Sequence, residues 1–286
     1  MENILLVGCG FVGKVTADLF VSDNLRNGSC VWNVSTLSRR GTDEQSSIRH
    51  FSGDVTRIAE TESVLSEKKL LPDFVVFAAS TRGGDTAAYR NLYLGGLKNL
   101  RRALPDTPIL FTSSTSVYGQ SAGEVVTEDS PTNPESEKGK ILLEAESLAL
   151  ASGGWVLRPG GIYGPGRSAH LKNFMAGKSL TEREGSRWVN QIHRDDAAGS
   201  IFFILKKRVP AGIYNAVDDT PCQLQKIYAQ LAQAIRPAPD STKFTQNASR
   251  KRPWTNKRVS NTKLRKLAWT LQYPSYESAI PGLIKP

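Results

Sequence analysis

The chain is poor in cysteine, histidine and methionine, and it has no long apolar run. Its three cysteines, Cys9, Cys30 and Cys222, lie far apart without metal-ligand spacing. They build neither a disulfide framework nor a metal site, and a reducing interior suits them. No uninterrupted apolar stretch approaches the ~18 residues of a membrane span. The opening MENILLVGCG has no basic leader and too short an apolar run for a signal core. The expectation is therefore a cytoplasmic protein with no metal and no membrane partner. Internal repeats and long low-complexity segments are absent as well.

Positive charge, by contrast, is in excess: 37 Lys and Arg against 27 Asp and Glu give a net charge of +10 over 286 residues. Much of it falls late, in RKRPWTNKR (250 to 258) and KLRK (263 to 266), without an intervening acid. Such a run serves as a solvated basic face, a clamp for a phosphorylated ligand, or a nucleic-acid contact. Aromatic interleaving there is limited to Trp254 and Trp269, which disfavours nucleic acid.

Short apolar runs alternate with helix-like stretches through the first two thirds, the pattern of a parallel sheet with crossover helices. Strands are expected at 3–7, 31–37, 48–51, 74–78, 109–113 and 155–158, with helices over 11–20, 86–104 and 139–151. The fold class is α/β, a doubly wound parallel Rossmann sheet with a small C-terminal substrate lobe. Residues 1–165, with 189–217 returning, make the dinucleotide-binding domain; 166–188 and 218–286 make the lobe. In the lobe, Thr220 and Pro221 are placed to cap and start a helix.

The run ILLV leads directly into Gly8-Cys9-Gly10-Phe11-Val12-Gly13 and an amphipathic stretch. Glycines at this spacing allow a tight turn and a close approach of backbone to pyrophosphate, and the following helix N-terminus offers amide donors. At the end of the second strand an NAD site presents Asp or Glu, whereas the sequence reads Leu37-Ser38-Arg39-Arg40 with no acid before Asp43. Arginine suits a 2′-phosphate, so NADP is expected ahead of NAD.

Together these segments resemble the extended short-chain dehydrogenase/reductases, the NAD(P)-dependent epimerase/dehydratase group, over nearly the whole chain. GCGFVG resembles the glycine loop, in GxGxxG rather than the usual GxxGxxG spacing. Gly53-Asp54-Val55 resembles the adenine-side segment, and VVFAAS, ending in Ala78-Ala79-Ser80, the strand end lining the cofactor. Asn91 and Gly95, SSTSVYG (113 to 119), LRPGGIYGPG (157 to 166), QIHRDDAA (191 to 198) and YNAVDD (214 to 219) follow in the family's order.

The resemblance implies an oxidoreductase acting on a sugar nucleotide or similar phosphorylated substrate. Ser114 would bond the reacting oxygen and Lys140 the nicotinamide ribose, lowering the pKa of a tyrosine four residues earlier. Here that position is Ser136, whose aliphatic hydroxyl is a poor general acid and whose ordinary reading is a helix N-cap. Proton transfer then falls to Tyr118, Tyr163, Ser136 or water, or has ceased. In the last case the protein is a non-catalytic NADP-binding sensor or scaffold. His193 is expected to be structural. The resemblance also implies a homodimer through helices 86–104 and 139–151, with Leu142 and Leu148 in the contact.

Overall fold

The computed structural model describes residues 1–28, 31–40, 47–67, 70–81, 83–236 and 255–284. In chain order the strands are β1 (Glu2–Val7), β2 (Trp32–Ser38), β3 (Ile48–Ser52), β4 (Phe74–Phe77), β5 (Ile109–Thr112), β6 (Glu124–Val126) and β7 (Trp155–Pro159). They are followed by β8 (Gly161–Tyr163), β9 (Trp188–Val189), β10 (Gln191–His193), β11 (Gly212–Ala216), β12 (Cys222–Gln223) and β13 (Lys257–Val259). Seven of them form one sheet in the order β11-β7-β5-β4-β1-β2-β3. Its pairings from β3 through β2, β1, β4 and β5 to β7 are parallel. The order reverses beside β1, the switch point at which doubly wound sheets leave a crevice for a ligand. Ile4, Leu5, Leu6 and Val7 on β1 and Val75, Val76 and Phe77 on β4 are buried without alternation, as a sheet covered on both faces requires.

Contacts divide the chain into two compact units. The first comprises Met1–Val117, Ser136–Arg158 and Ala198–Tyr214; the second comprises Tyr118–Glu135, Pro159–Ala197 and Asn215–Pro286. The core of the second gathers Tyr163, Phe174, Val189, Ile227, Leu231 and Tyr276.

Helix α1 (Gly13–Asn27) follows β1, and α2 (Ile58–Glu67) follows β3. The helix expected over 86–104 is interrupted: α3 (Thr86–Tyr89) passes into a π-helical turn at Arg90–Gly95 before α4 (Gly96–Ala103). Helix α5 (Glu137–Leu150) lies close to the expected span. Its Leu142 is buried inside the first unit, so it is unavailable to a dimer contact, while Leu148 is half-buried. The late helix starts at Leu224, not at Pro221, because Cys222–Gln223 pairs as a strand with β9. Thr220 accordingly does not cap it; its hydroxyl donates to the Pro274 carbonyl.

Candidate functional site

Val7 stands in register with Leu37 on β2 and with Phe77 on β4, so the loops leaving these three strands emerge together at one edge of the sheet. Gly8 has φ +99°, and a Cβ on it would lie 2.5 Å from the Ala79 backbone. A Cβ on Gly13 would lie 2.0 Å from the Gly8 carbonyl oxygen. Both positions therefore demand glycine for the turn itself. Gly10 differs, since a Cβ there would meet nothing within 4 Å. Its missing side chain leaves an open cradle beside the N-terminus of α1. That helix has no acidic residue in its first turn and no side-chain cap, and its leading amides suit an anion. Phe11 and Val12 complete the turn, Val12 occupying the N-cap position.

Next to the cradle, Ser38 closes β2 by donating its hydroxyl to the Arg40 carbonyl at 2.6 Å, and Arg39 and Arg40 are exposed. Asp43 lies outside the described residues. Asp54 is partly engaged, its Oδ1 accepting the Thr56 amide at 2.9 Å and the Thr56 hydroxyl at 2.8 Å. Ala78 donates its amide to Val7, which fixes the start of the Ala78–Ser80 strand end against the glycine loop. The open Gly10 cradle and the uncapped helix start fit the phosphates of a dinucleotide, and two exposed guanidinium groups stand beside them.

The same sheet edge carries Ser114 after β5. Its Oγ accepts the Ser116 amide at 3.1 Å, which leaves the O–H to donate. Below it is a brace that the sequence did not disclose: Ser113 donates to Glu146 Oε1 at 2.5 Å, and Arg158 grips both Glu146 oxygens at 3.0 and 2.6 Å. Glu146 and Arg158 are buried, so the bidentate pair fixes β7 to α5 while the Ser113 bond fixes the end of β5 to the same helix. The only sequence signal for it was an acid among the apolar residues Ile141, Leu142, Ala145 and Ala149.

Ser136 caps α5, its Oγ accepting the Gly139 amide at 3.1 Å. Lys140 is exposed and donates to Glu137 at 2.7 Å. The lysine of this turn that reaches inward is Lys138. It donates to the Gly84 carbonyl at 2.6 Å and lies 4.8 Å from the centre of the Tyr89 ring. Tyr89 in turn packs edge-on against Tyr93 at 5.0 Å, and the Tyr93 phenol is hydrogen-bonded to Ser80 and Thr81. Burial pushes the Tyr93 pKa up.

Tyr118 and Tyr163 both lie in the second unit, and the structure withdraws both from the set of open phenols. The Tyr118 hydroxyl donates to Asn215 Oδ1 at 2.9 Å from a fully buried position. Tyr163 is buried against Tyr276 and His193, its hydroxyl directed at the Ser275 carbonyl. Burial, with Asp218 nearby, drives its pKa far upward. His193 stacks on Tyr273 at 3.8 Å and accepts the Asp195 amide, a structural role. Two cationic groups, Arg187 and Lys257, also gather in this unit, with His170 beside Arg187. Lys257, 5% exposed, donates to the Tyr118 carbonyl at 2.6 Å and has no ion-pair partner among the described residues. Desolvation and the Arg187 guanidinium bring its pKa down to about 8, and the same two influences bring His170 down to about 4. Of the basic stretch 250–266, residues 250–254, including Trp254, lie outside the described residues.

Residues 4–216 match the model of the NAD dependent epimerase/dehydratase family. The chain belongs to that family. Protein YeeZ of Escherichia coli (strain K12) is 32% identical over 169 residues, a match covering 58% of this chain and 58% of YeeZ. A candidate NAD-dependent epimerase/dehydratase from Methylobacillus flagellatus superimposes with a TM-score of 0.75 at 29% identity, covering 99% of this chain and 97% of the other. The dTDP-glucose 4,6-dehydratase of Bacillus anthracis, solved in complex with NAD, gives a TM-score of 0.77 at 18% identity over 98% and 94%. At that identity the likeness is one of fold. Among the described residues no helix of this family member is long and apolar enough to cross a membrane.

Proposed function

We propose that the protein is an NADP-dependent oxidoreductase of the epimerase/dehydratase type acting on a phosphorylated substrate, a sugar nucleotide or a close relative. The observation that carries this reading is the Gly10 cradle at the uncapped start of α1, with Arg39 and Arg40 exposed at the neighbouring strand end. Gly8, Gly10, Phe11, Val12 and Gly13 hold the pyrophosphate, Asp54 the adenine side, Arg39 and Arg40 the 2′-phosphate, and Ala78, Ala79 and Ser80 the inner wall. A bound NADP supplies hydride exchange with a substrate carbon. Ser114, with its uncommitted O–H, donates to the reacting oxygen, and Lys140 turns from Glu137 to the ribose.

The chain lacks the tyrosine that the family places four residues before this lysine. With Tyr118 and Tyr163 committed to the core, Ser114 holds the reacting oxygen and water carries the proton. The same commitment favours a second reading, a dinucleotide sensor without turnover. The two separate by experiment. The wild type is titrated with NADP and NAD by calorimetry, then offered sugar nucleotides while nicotinamide absorbance and substrate exchange are followed. NADP binding with turnover abolished by Ser114→Ala supports the enzyme. NADP binding without turnover, in the wild type and in Ser136→Tyr alike, favours the sensor, and preference for NAD overturns the cofactor assignment.

A further inference from the structure

The first unit holds three tyrosines, Tyr89, Tyr93 and Tyr214, and their hydroxyls are not equally committed. Tyr214 donates to the Pro210 carbonyl at 2.7 Å. Tyr93 is buried, with its phenol bonded to Ser80 and Thr81. Tyr89 is half-buried, and its hydroxyl has no hydrogen-bond partner among the described residues. It closes α3 immediately before the π-helical turn at Arg90–Gly95, an irregularity of a kind that recurs at functional sites.

The Tyr89 ring is held by two neighbours. Tyr93 meets it edge-on at 5.0 Å and is itself tied through Ser80 and Thr81 to the chain leaving β4. From α5, the Lys138 ammonium lies 4.8 Å from the ring centre, within the range of a cation–π attraction. The same ammonium donates to the Gly84 carbonyl at 2.6 Å, in the segment between β4 and α3. Lys138 has no carboxylate partner among the described residues, whereas Lys140 pairs with Glu137. Strands β4 and β5 are neighbours, Phe77 standing in register with Phe111, so the segment that Tyr89 packs on and the one that carries Ser114 leave the sheet side by side.

We propose that Tyr89 is the phenol from which the proton-carrying water is supplied, and that Lys138 is the residue that positions it. The inference deepens the functional reading above and rests on it for the reaction. A phenol gives up its proton far more readily than the aliphatic hydroxyls of Ser114 and Ser136. In the reductive direction, hydride adds with its electron pair to the substrate carbonyl carbon, and the π pair moves onto the oxygen held by Ser114. Water protonates that oxygen and takes the Tyr89 proton, leaving the negative charge on a phenol whose ring the Lys138 ammonium faces. In the oxidative direction the same transfers run backwards, with Tyr89 receiving the proton.

The test has two arms, both on the full chain. In the first, which needs no turnover, the wild type is treated with N-acetylimidazole, which acetylates open phenols, and the modified tyrosines are mapped by peptide mass. Tyr89 is expected to react ahead of Tyr93 and Tyr214, and saturating NADP to protect it. In the second, UDP-glucose, UDP-glucuronic acid and dTDP-glucose are offered to the wild type and its variants. Tyr89→Phe should lower kcat by about a hundredfold, with KM, NADP affinity and the urea midpoint unchanged. Lys138→Met should lower kcat by about tenfold, and Lys138→Arg should restore it. Acetylation of Tyr89 that is indifferent to NADP, or a Tyr89→Phe variant that turns over like a wild type that itself binds NADP and is active, defeats this inference alone. A rise in KM at unchanged kcat also overturns it, since packing would then be the whole role of the ring. Loss of NADP binding or of all turnover in the wild type defeats the functional reading, and this inference with it.

Discussion

The Tyr118 hydroxyl donates to Asn215 Oδ1 over 2.9 Å, and both side chains are buried. Asn215 is held besides by its amide, which donates to Glu128, and by its Nδ2, which donates to the Ser260 carbonyl. Tyr118→Phe removes one bond of this set and leaves a buried acceptor short. Unfolding in urea should show a loss of about 1–2 kcal/mol, with NADP affinity unchanged. A fall in turnover without a fall in stability would return Tyr118 to the list of proton donors.

Two glycines of the first loop, Gly10 and Gly13, should respond differently to alanine. Gly13→Ala drives a Cβ to 2.0 Å from a carbonyl oxygen and should cost about 2–3 kcal/mol of folding stability. Gly10→Ala meets nothing and should melt like the wild type. Its methyl group nevertheless fills the cradle, so NADP affinity should drop by about tenfold or more, ~1.4 kcal/mol. Equal NADP affinity in Gly10→Ala and wild type would remove the phosphate from this loop.

Cofactor choice is tested by Arg39→Ala with Arg40→Ala. Each charged contact to a phosphate contributes roughly 1.5–3 kcal/mol, so the pair should weaken NADP binding by about 2–4 kcal/mol and leave NAD binding nearly unchanged. Calorimetry with both dinucleotides checks it. Equal losses for the two would show that the arginines do not read the 2′-phosphate.

Ser136 holds the first turn of α5 through the Gly139 amide. Ser136→Ala should lose about 1 kcal/mol by thermal or urea unfolding, while Ser136→Asp should keep most of the stability because aspartate caps as well. If both variants unfold alike, the cap contributes nothing.

Two buried groups impose opposite pH slopes on stability. Asp218 titrates near 8 in the folded protein and near its ordinary ~4 when unfolded, so the folded state holds the extra proton and stability falls as pH rises from about 4 to 8. Lys257 titrates near 8 folded against ~10.4 unfolded, so the unfolded state binds the extra proton and stability rises from about pH 8 to 10. Chemical denaturation across pH should show Asp218→Asn flattening the first slope and Lys257→Met the second. An unaltered pH profile in either variant would contradict the assignment.

The sequence alone carried the sheet and its glycine loop. Continuous apolar runs such as Ile4–Val7 and Val75–Phe77 have no other stable place than a covered parallel strand, and GCGFVG directly after one is a local instruction. Ser136 was likewise legible, because an N-cap depends on neighbours only three residues away. What needed tertiary structure was every decision that long-range contact makes. Tyr118 meets Asn215 from 97 residues away and Ser113 meets Glu146 from 33, so no local pattern could say that the phenol was already committed or that the acid was a brace. The starting point of the late helix fell the same way, since pairing of Cys222 and Gln223 with β9 outweighed a good capping sequence. Protonation was decided there too. Asp218 and Lys257 look like ordinary surface charges in the sequence, and only burial, which withholds water from the charged form, turns them into groups that change state near neutrality.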